Sequence, residues 1–311
     1  MSKDEKEFFL MSNGKCRISG ENLIEVLDLG NQYISDFVKK GDEKKIDRSS
    51  LKLGICKKSK LLQLFETYSQ NKIYRKYWYK SGINEKMIDE LKSVVEGSKR
   101  FVDLNNSDVV VDIASNDGTL LNFYSENLEC IGFDPSDVAK NSNSYKKNKI
   151  LINDFFKRGL YENITKKKAK IITAISMFYD LENPISFLKD VKAILDDNGI
   201  LVIQLGYMPL MMDLNEFGYI SHEHLCYYTF KNLIDLMSQN ELEIFDIDLN
   251  ECNGGSLRMY ISHKNKSIKL NCPINLFEIG KLKINALLIN EEKNDFNNIK
   301  KYNDFKKRIE N

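Results

Sequence analysis

A continuous apolar run from Asp108 to Ile113 breaks off into the polar stretch DIASNDG (112–118), and leucines and aromatics then return at helical spacing from Thr119 to Glu126. A buried strand, a tight turn and a helix laid back on the sheet form the opening unit of an α/β fold, because a parallel sheet must be covered by its own crossover helices. The rhythm repeats. Cys130 to Phe133 reads as a second strand ending at Asp134-Pro135 and followed by a polar helix, Lys149 to Ile152 as a third strand and Lys170 to Ile175 as a fourth. Ser186 to Leu195 is apolar at helical spacing, Asp196 to Gly199 turns the chain, and Ile200 to Leu205 is a fifth strand. A helix from Lys231 to Gln239 precedes strands at Leu242 to Asp246 and Ser256 to Ser262, which close the sheet as a hairpin-like pair. The expected class is α/β: a Rossmann-like, mostly parallel sheet of about seven strands. A small N-terminal domain over 1–80, a sheet domain over 81–262 and a C-terminal helical extension over 263–311 are expected around it.

The first turn discriminates between nucleotide cofactors. A dinucleotide site uses GxGxxG so that the backbone can approach a pyrophosphate, and DIASNDG lacks that pattern. Asp112 at the strand end, with Ala114, Asn116, Asp117 and Gly118 in the loop, suits a zwitterionic sulfonium amino acid instead. Loop N–H groups then receive its carboxylate and acidic groups its ammonium. Asp134, followed by Pro135, ends the second strand where a carboxylate accepts both hydroxyls of a ribose. Asp154 and Phe155, after the third strand, suit the edge and face of an adenine, and Ser176 closes the fourth strand. Together these point to S-adenosylmethionine. Each acid also has a local role open to it, Asp112 as a turn cap, Asp134 as an Asx-turn residue and Asp154 as a helix cap.

Composition narrows the partners. The 46 basic and 45 acidic residues nearly cancel, which gives no long-range attraction to nucleic acid or to an anionic membrane surface. No apolar run approaches a membrane span, and the start, MSKDEKEFFLM, is too charged for a secretory leader. A cytoplasmic chain is expected, with its six scattered cysteines reduced.

Six ordered segments carry a wider likeness: KYWYKSGIN (76–84), DIASNDGTLL (112–121), GFDPS (132–136), SMFYDLENP (176–184), ISHEHLCYYTF (220–230) and NGGSLRMY (253–260). The chain resembles the nucleotide-sugar C-methyltransferases, in which a cysteine-rich N-terminal segment precedes a class I methyltransferase domain and a further C-terminal domain. The resemblance implies methylation of a carbon of a nucleotide-linked keto-deoxysugar, a reaction that needs a base to remove a weakly acidic C–H proton and a group to hold the enolate. It makes His224 the favoured base, with His222 and Glu223 orienting it or touching the sugar. Alternation along an extended segment would place His222 and His224 on one side and Glu223 on the other. Tyr79 and Tyr179 are candidate acceptor contacts. Two positions depart from the pattern: Ser221 stands where some members have tyrosine, and Asp180 where some have histidine. The HEH spacing is not that of a zinc-binding HExxH helix, so no catalytic metal is expected. Arg258, after Asn253-Gly254-Gly255, could pair with a phosphate, and the glycines themselves suit a tight turn.

The N-terminal segment departs further. Members of the family tend to carry two CxxC knuckles that bind zinc, whereas this chain has CRIS (16–19) and CKKS (56–59), two thiols and two hydroxyls, a poor set for zinc. Leu27, Leu29, Leu62 and Leu64 are expected to hold a metal-free version together, and the aromatic stretch 68–82 to bridge it to the sheet domain. Beyond Ser262 one or two charged helices are expected, where the family continues into another α/β domain. Either the acceptor site is altered, or a protein partner or further segment completes it. Oxygen or nitrogen methylation of a small metabolite, and a partner-binding protein built on the methyltransferase fold, stay open as alternatives.

Overall fold

The computed structural model describes residues 14–34, 40–41, 46–145, 148–266, 273–296 and 298–310. The charged start and Cys272 lie outside them. The N-terminal part is a small antiparallel sheet of β1 (Leu23–Tyr33), β2 (Arg48–Cys56) and β3 (Leu62–Leu64). Leu27, Leu62 and Leu64 are buried in it, and Leu29 packs against the same core. The chain then passes through the short helix Gln70–Tyr74 and the longer Glu85–Lys99, capped by Ser69 and Asn84 side chains. Between them Tyr74, Tyr77, Trp78 and Tyr79 form a run of ring contacts with centroids 5.7–6.2 Å apart.

The large sheet follows the expected rhythm. Its strands are β4 (Val109–Ile113), β5 (Glu129–Phe133), β6 (Lys149–Ile152), β7 (Ala169–Ile175) and β8 (Leu195–Gly206), all parallel. After these, β9 (Cys226–Tyr227) leaves to pair with β3, so the small sheet runs β1-β2-β3-β9. β10 (Leu242–Asn250) and β11 (Ser256–His263) form an antiparallel pair that joins β8, completing the order β10-β11-β8-β7-β4-β5-β6. Only β11 opposes the other six strands, which gives the mostly parallel sheet of seven strands expected from the sequence. Every residue of β4 is buried, as a central parallel strand requires. No helix among the described residues is long and apolar enough to cross a membrane.

Local departures have local causes. The helix expected over Thr119–Glu126 is only a 3₁₀ turn, Leu120–Phe123, ended by extended backbone at Tyr124. The turn expected at Asp196–Gly199 is a bulge inside β8, since Leu195 faces Ala169 and the next pair is Ile200 with Ile171. Arg258 is not free for a phosphate. It is 5% exposed and bonds Gln204 at 2.8 Å, Glu90 at 2.7 Å and Ser93, locking helix Glu85–Lys99 to β8 and β11.

Helix Phe230–Gln239 starts in a reciprocal cap between Thr229 and Asn232. The C-terminal helices Ile274–Asn294 and Ile299–Glu310 pack back on the same body. Buried Glu291 accepts from the Tyr207 hydroxyl at 2.5 Å and from the N–H groups of Phe230 (2.6 Å) and Lys231 (3.0 Å). A carboxylate at a helix N-terminus satisfies two open donors and the helix dipole together. Gly280 lets the same helix lie close against β10, since a Cβ there would lie 2.2 Å from the Phe245 carbonyl oxygen.

Candidate active site

A cavity of about 800 Å³ opens at the C-terminal ends of β4, β5 and β7, roofed by residues 70–91 and closed on the far side by Tyr219, Glu223 and His224. Ligands in open α/β sheets bind at this edge. One half is built by the loop after β4. Ala114 and Asn116 both sit in left-handed backbone (φ 61° and 50°), as does Ser176 after β7 (φ 53°). Such backbone in non-glycine residues costs on the order of 1–3 kcal/mol each and clusters at functional sites.

Asp112 and Asp134 both line this half. Asp112 is buried and accepts from Thr173 Oγ1 at 2.6 Å. Burial raises its carboxyl to about 7, with Thr173 opposing and Asp134 assisting the rise. Asp134 is 6% exposed and accepts from the Asn116 N–H at 2.9 Å, and from the N–H (2.8 Å) and hydroxyl (2.5 Å) of Ser136. Those bonds fix the carboxylate against the loop. Pro135, Phe155 and Ser176 also line the cavity.

Three expected contacts lie off the wall. The Asp117 carboxylate turns away to accept from Gly82 N–H (2.9 Å) and from the Thr119 N–H and hydroxyl. Gly118 sits at φ 80°, where an added Cβ would lie 3.1 Å from Ser144 and Tyr145. Asp154 accepts from Arg75 at 2.8 Å on the outer side. Asp117 and Gly118 therefore shape the loop, and Asn116 completes its clamp by donating to the Tyr79 carbonyl and accepting from Ser81 N–H.

The other half is aromatic and assembled from remote segments. His224 lies between Tyr179 (centroids 4.6 Å apart) and Tyr219 (4.2 Å). Its Nδ1 is 2.6 Å from the Tyr219 carbonyl oxygen, an acceptor, so Nδ1 carries the proton and Nε2 bears the lone pair. Burial lowers the imidazole to about 4, the Tyr219 carbonyl opposing. Gly206 makes the cluster possible, because a Cβ there would lie 2.2 Å from the Tyr219 hydroxyl oxygen.

Glu223 and His224 both line the cavity and His222 does not. The alternation expected of an extended segment fails because the chain bends at His222–Glu223, with His224 N–H returning to the Ser221 carbonyl. His222 instead points into the small sheet, its Nε2 3.0 Å from the Ser49 carbonyl oxygen. Burial lowers its pKa.

Residues to which the sequence assigned no contact complete the wall. Tyr74 and Tyr77 come from the aromatic run, and Asn253, at φ 52°, reaches Ser176 Oγ at 3.3 Å. Asp180 stands below them with a buried Oδ1 that has no partner among the described residues. Burial holds its carboxyl well above the usual range, Tyr74 opposing and Glu223 assisting. The density of tyrosines in 74–79 and the FYD departure were the signals available for these residues.

Residues 83–247, more than half of the chain, match the family described as "Methyltransferase domain", and residues 16–74 match "Putative zinc binding domain". The C-methyltransferase NovU of Streptomyces niveus is 22% identical over 254 residues, 79% of this chain, which spans 60% of that protein's length. Magnesium protoporphyrin IX methyltransferase of Synechocystis PCC 6803 superposes with TM-score 0.42 at 11% identity, over 58% of this chain and 83% of its own. The 1,6-didemethyltoxoflavin-N1-methyltransferase of Burkholderia thailandensis does so at 0.44 and 10%, over 59% and 81%. At 16–59 the donor set does not fit zinc: two thiols face two hydroxyls, and no group of three metal-ligating side chains converges among the described residues. The chain belongs to the methyltransferase-domain family, enzymes that take their methyl group from S-adenosylmethionine.

Proposed function

We propose that this protein is a C-methyltransferase acting on a nucleotide-linked keto-deoxysugar through an enolate. The observation that carries the reading is His224, a neutral imidazole whose tautomer is set by the Tyr219 carbonyl and whose Nε2 is the basic nitrogen, on the wall of the same cavity as Asp112 and Asp134. S-Adenosylmethionine fits the β4 side: the loop at 114–116 for its carboxylate, Asp112 for its ammonium and Asp134 for its ribose. Bound there, it supplies an electrophilic methyl group.

The chain's own residues do the rest. His224 Nε2 takes the acceptor's α C–H proton, the electron pair moves onto the ketone oxygen, and the proton later passes from the imidazolium to solvent. A pKa of about 4 keeps His224 neutral at pH 7 and makes the imidazolium costly; the carbonyl of Tyr219 offsets part of that cost. Asp180 is the candidate donor to the enolate oxygen, since burial favours its protonated form, and a carboxylic acid can donate where a carboxylate cannot. Tyr79 and Tyr179 line the acceptor's path. In this reading 1–80, 81–262 and 263–311 are three units of one enzyme.

The test is methyl transfer across a panel of nucleotide-linked keto-sugars with NMR of the product. A new C–CH₃ group is the expected result. An O–CH₃ or N–CH₃ product would move the chain to the alternative chemistry, and cofactor binding without turnover on any acceptor would favour a partner-binding role.

A further inference from the structure

The small sheet brings together two cysteines and two serines where two CxxC turns would bring four cysteines. The two turns at 16–19 and 56–59 meet face to face, and their side chains pair across the gap. Cys16 Sγ is 3.2 Å from Ser59 Oγ, and Cys56 Sγ is 3.3 Å from Ser19 Oγ. Within each turn the serine N–H lies 3.5 Å from its own cysteine sulfur, at Ser19 to Cys16 and at Ser59 to Cys56. Backbone donation to sulfur is kept in both turns. Both cysteines are buried, and both serines are partly exposed at the rim of the pair.

This quartet is wired to the active site. The Ser59 carbonyl accepts from Asn232 Nδ2 at 2.7 Å, in the first turn of helix Phe230–Gln239. β3, which follows the second turn, pairs with Cys226–Tyr227, and Leu64 N–H donates to the Leu225 carbonyl. The segment that carries His224 is thus pinned on both sides of Cys226 by the small sheet.

We infer that residues 16–19 and 56–59 form a metal-free knuckle, in which two crossed thiol–hydroxyl pairs stand where a metal and four thiolates would, and which anchors the His224 segment. Hydroxyls are weak ligands for zinc beside thiolates, so the natural set does not hold the ion, while the backbone still places four side chains around one point.

The experiment compares the full chain with S19C/S59C, both produced with zinc in the medium and dialysed against a weak chelator. Metal content is measured directly, and Co²⁺ uptake is followed by its thiolate charge-transfer absorption. The natural chain is expected to hold no stoichiometric zinc. The double substitution is expected to take up one zinc per chain and to show tetrahedral thiolate cobalt. One tightly held zinc per natural chain would overturn the metal-free reading. A folded S19C/S59C that binds no more metal than the natural chain would overturn the claim that the serines occupy ligand positions. Should the double variant fail to fold, S59C alone decides, since it leaves the Ser19–Cys56 pair intact: tighter Co²⁺ binding than the natural chain supports the inference, and unchanged binding overturns it.

Discussion

The two halves of the cavity are built in opposite ways. The β4 half takes Asp112, Ala114, Asn116 and Asp134 from the consecutive strands β4 and β5, each at or just past a strand end, and holds them by hydrogen bonds within that pair, to Thr173 on β7 and to the backbone of Tyr79 and Ser81. The half proposed for the acceptor joins Tyr79, Tyr179, Asp180, Tyr219 and His224 from three distant stretches, and its Tyr179–Tyr219–His224 cluster is held by ring contacts, one carbonyl and the close approach at Gly206. A polar cradle tied by hydrogen bonds sits opposite a wall packed by aromatic rings. Damage to one half should therefore leave the other measurable.

The largest effect is expected at His224, the proposed base. His224→Asn should lower turnover by roughly 10²- to 10⁴-fold with cofactor affinity unchanged, read by steady-state kinetics and calorimetry on the same preparation. A parallel loss of cofactor binding would mean that the two halves are not separable. Next, Asp134→Ala should weaken cofactor binding by about 1.5–3 kcal/mol, the usual worth of a hydrogen bond to a charged group, without altering the product. Unchanged affinity in a folded variant would remove Asp134 from the ribose.

The halves should also titrate apart. Asp112, raised to about 7, is ionised above that pH and loses its charge below it. Affinity for a ligand bearing an ammonium should then fall as pH drops through 7, by at most about tenfold per unit. His224, lowered to about 4, stays neutral over the same range, so turnover at saturating cofactor should not fall with it. An acid limb of turnover near 6.5 would place the base elsewhere or give His224 an ordinary pKa. The smallest effect is expected at Asp180. Asp180→Asn keeps a hydrogen-bond donor and should retain most activity, whereas Asp180→Leu should lower turnover further without changing cofactor affinity. Equal activity in both variants would take Asp180 out of the enolate site.

The same contrast governs what could be read from the sequence. β4 to β8, the closing hairpin and both acids at the strand ends were visible because period, strand length and turn chemistry act over a few neighbouring residues. The pairing of Cys226–Tyr227 with β3 was not visible, since a two-residue strand has no period. His222 was misplaced because a bend, not an extended run, separates it from His224. Arg258 was misread because its partner Glu90 lies far off on helix Glu85–Lys99. Tyr219 and Gly206 depend on each other across the fold and carry no local signal.

The central claim is that His224 removes a carbon-bound proton before any methyl group moves. The direct measurement is exchange of the acceptor's α-proton with deuterated solvent, with S-adenosylhomocysteine filling the cofactor site so that no methyl transfer competes. The natural chain should wash deuterium into the α-position, and His224→Asn, with the same cofactor affinity, should not. Exchange at the natural rate in His224→Asn would contradict the account.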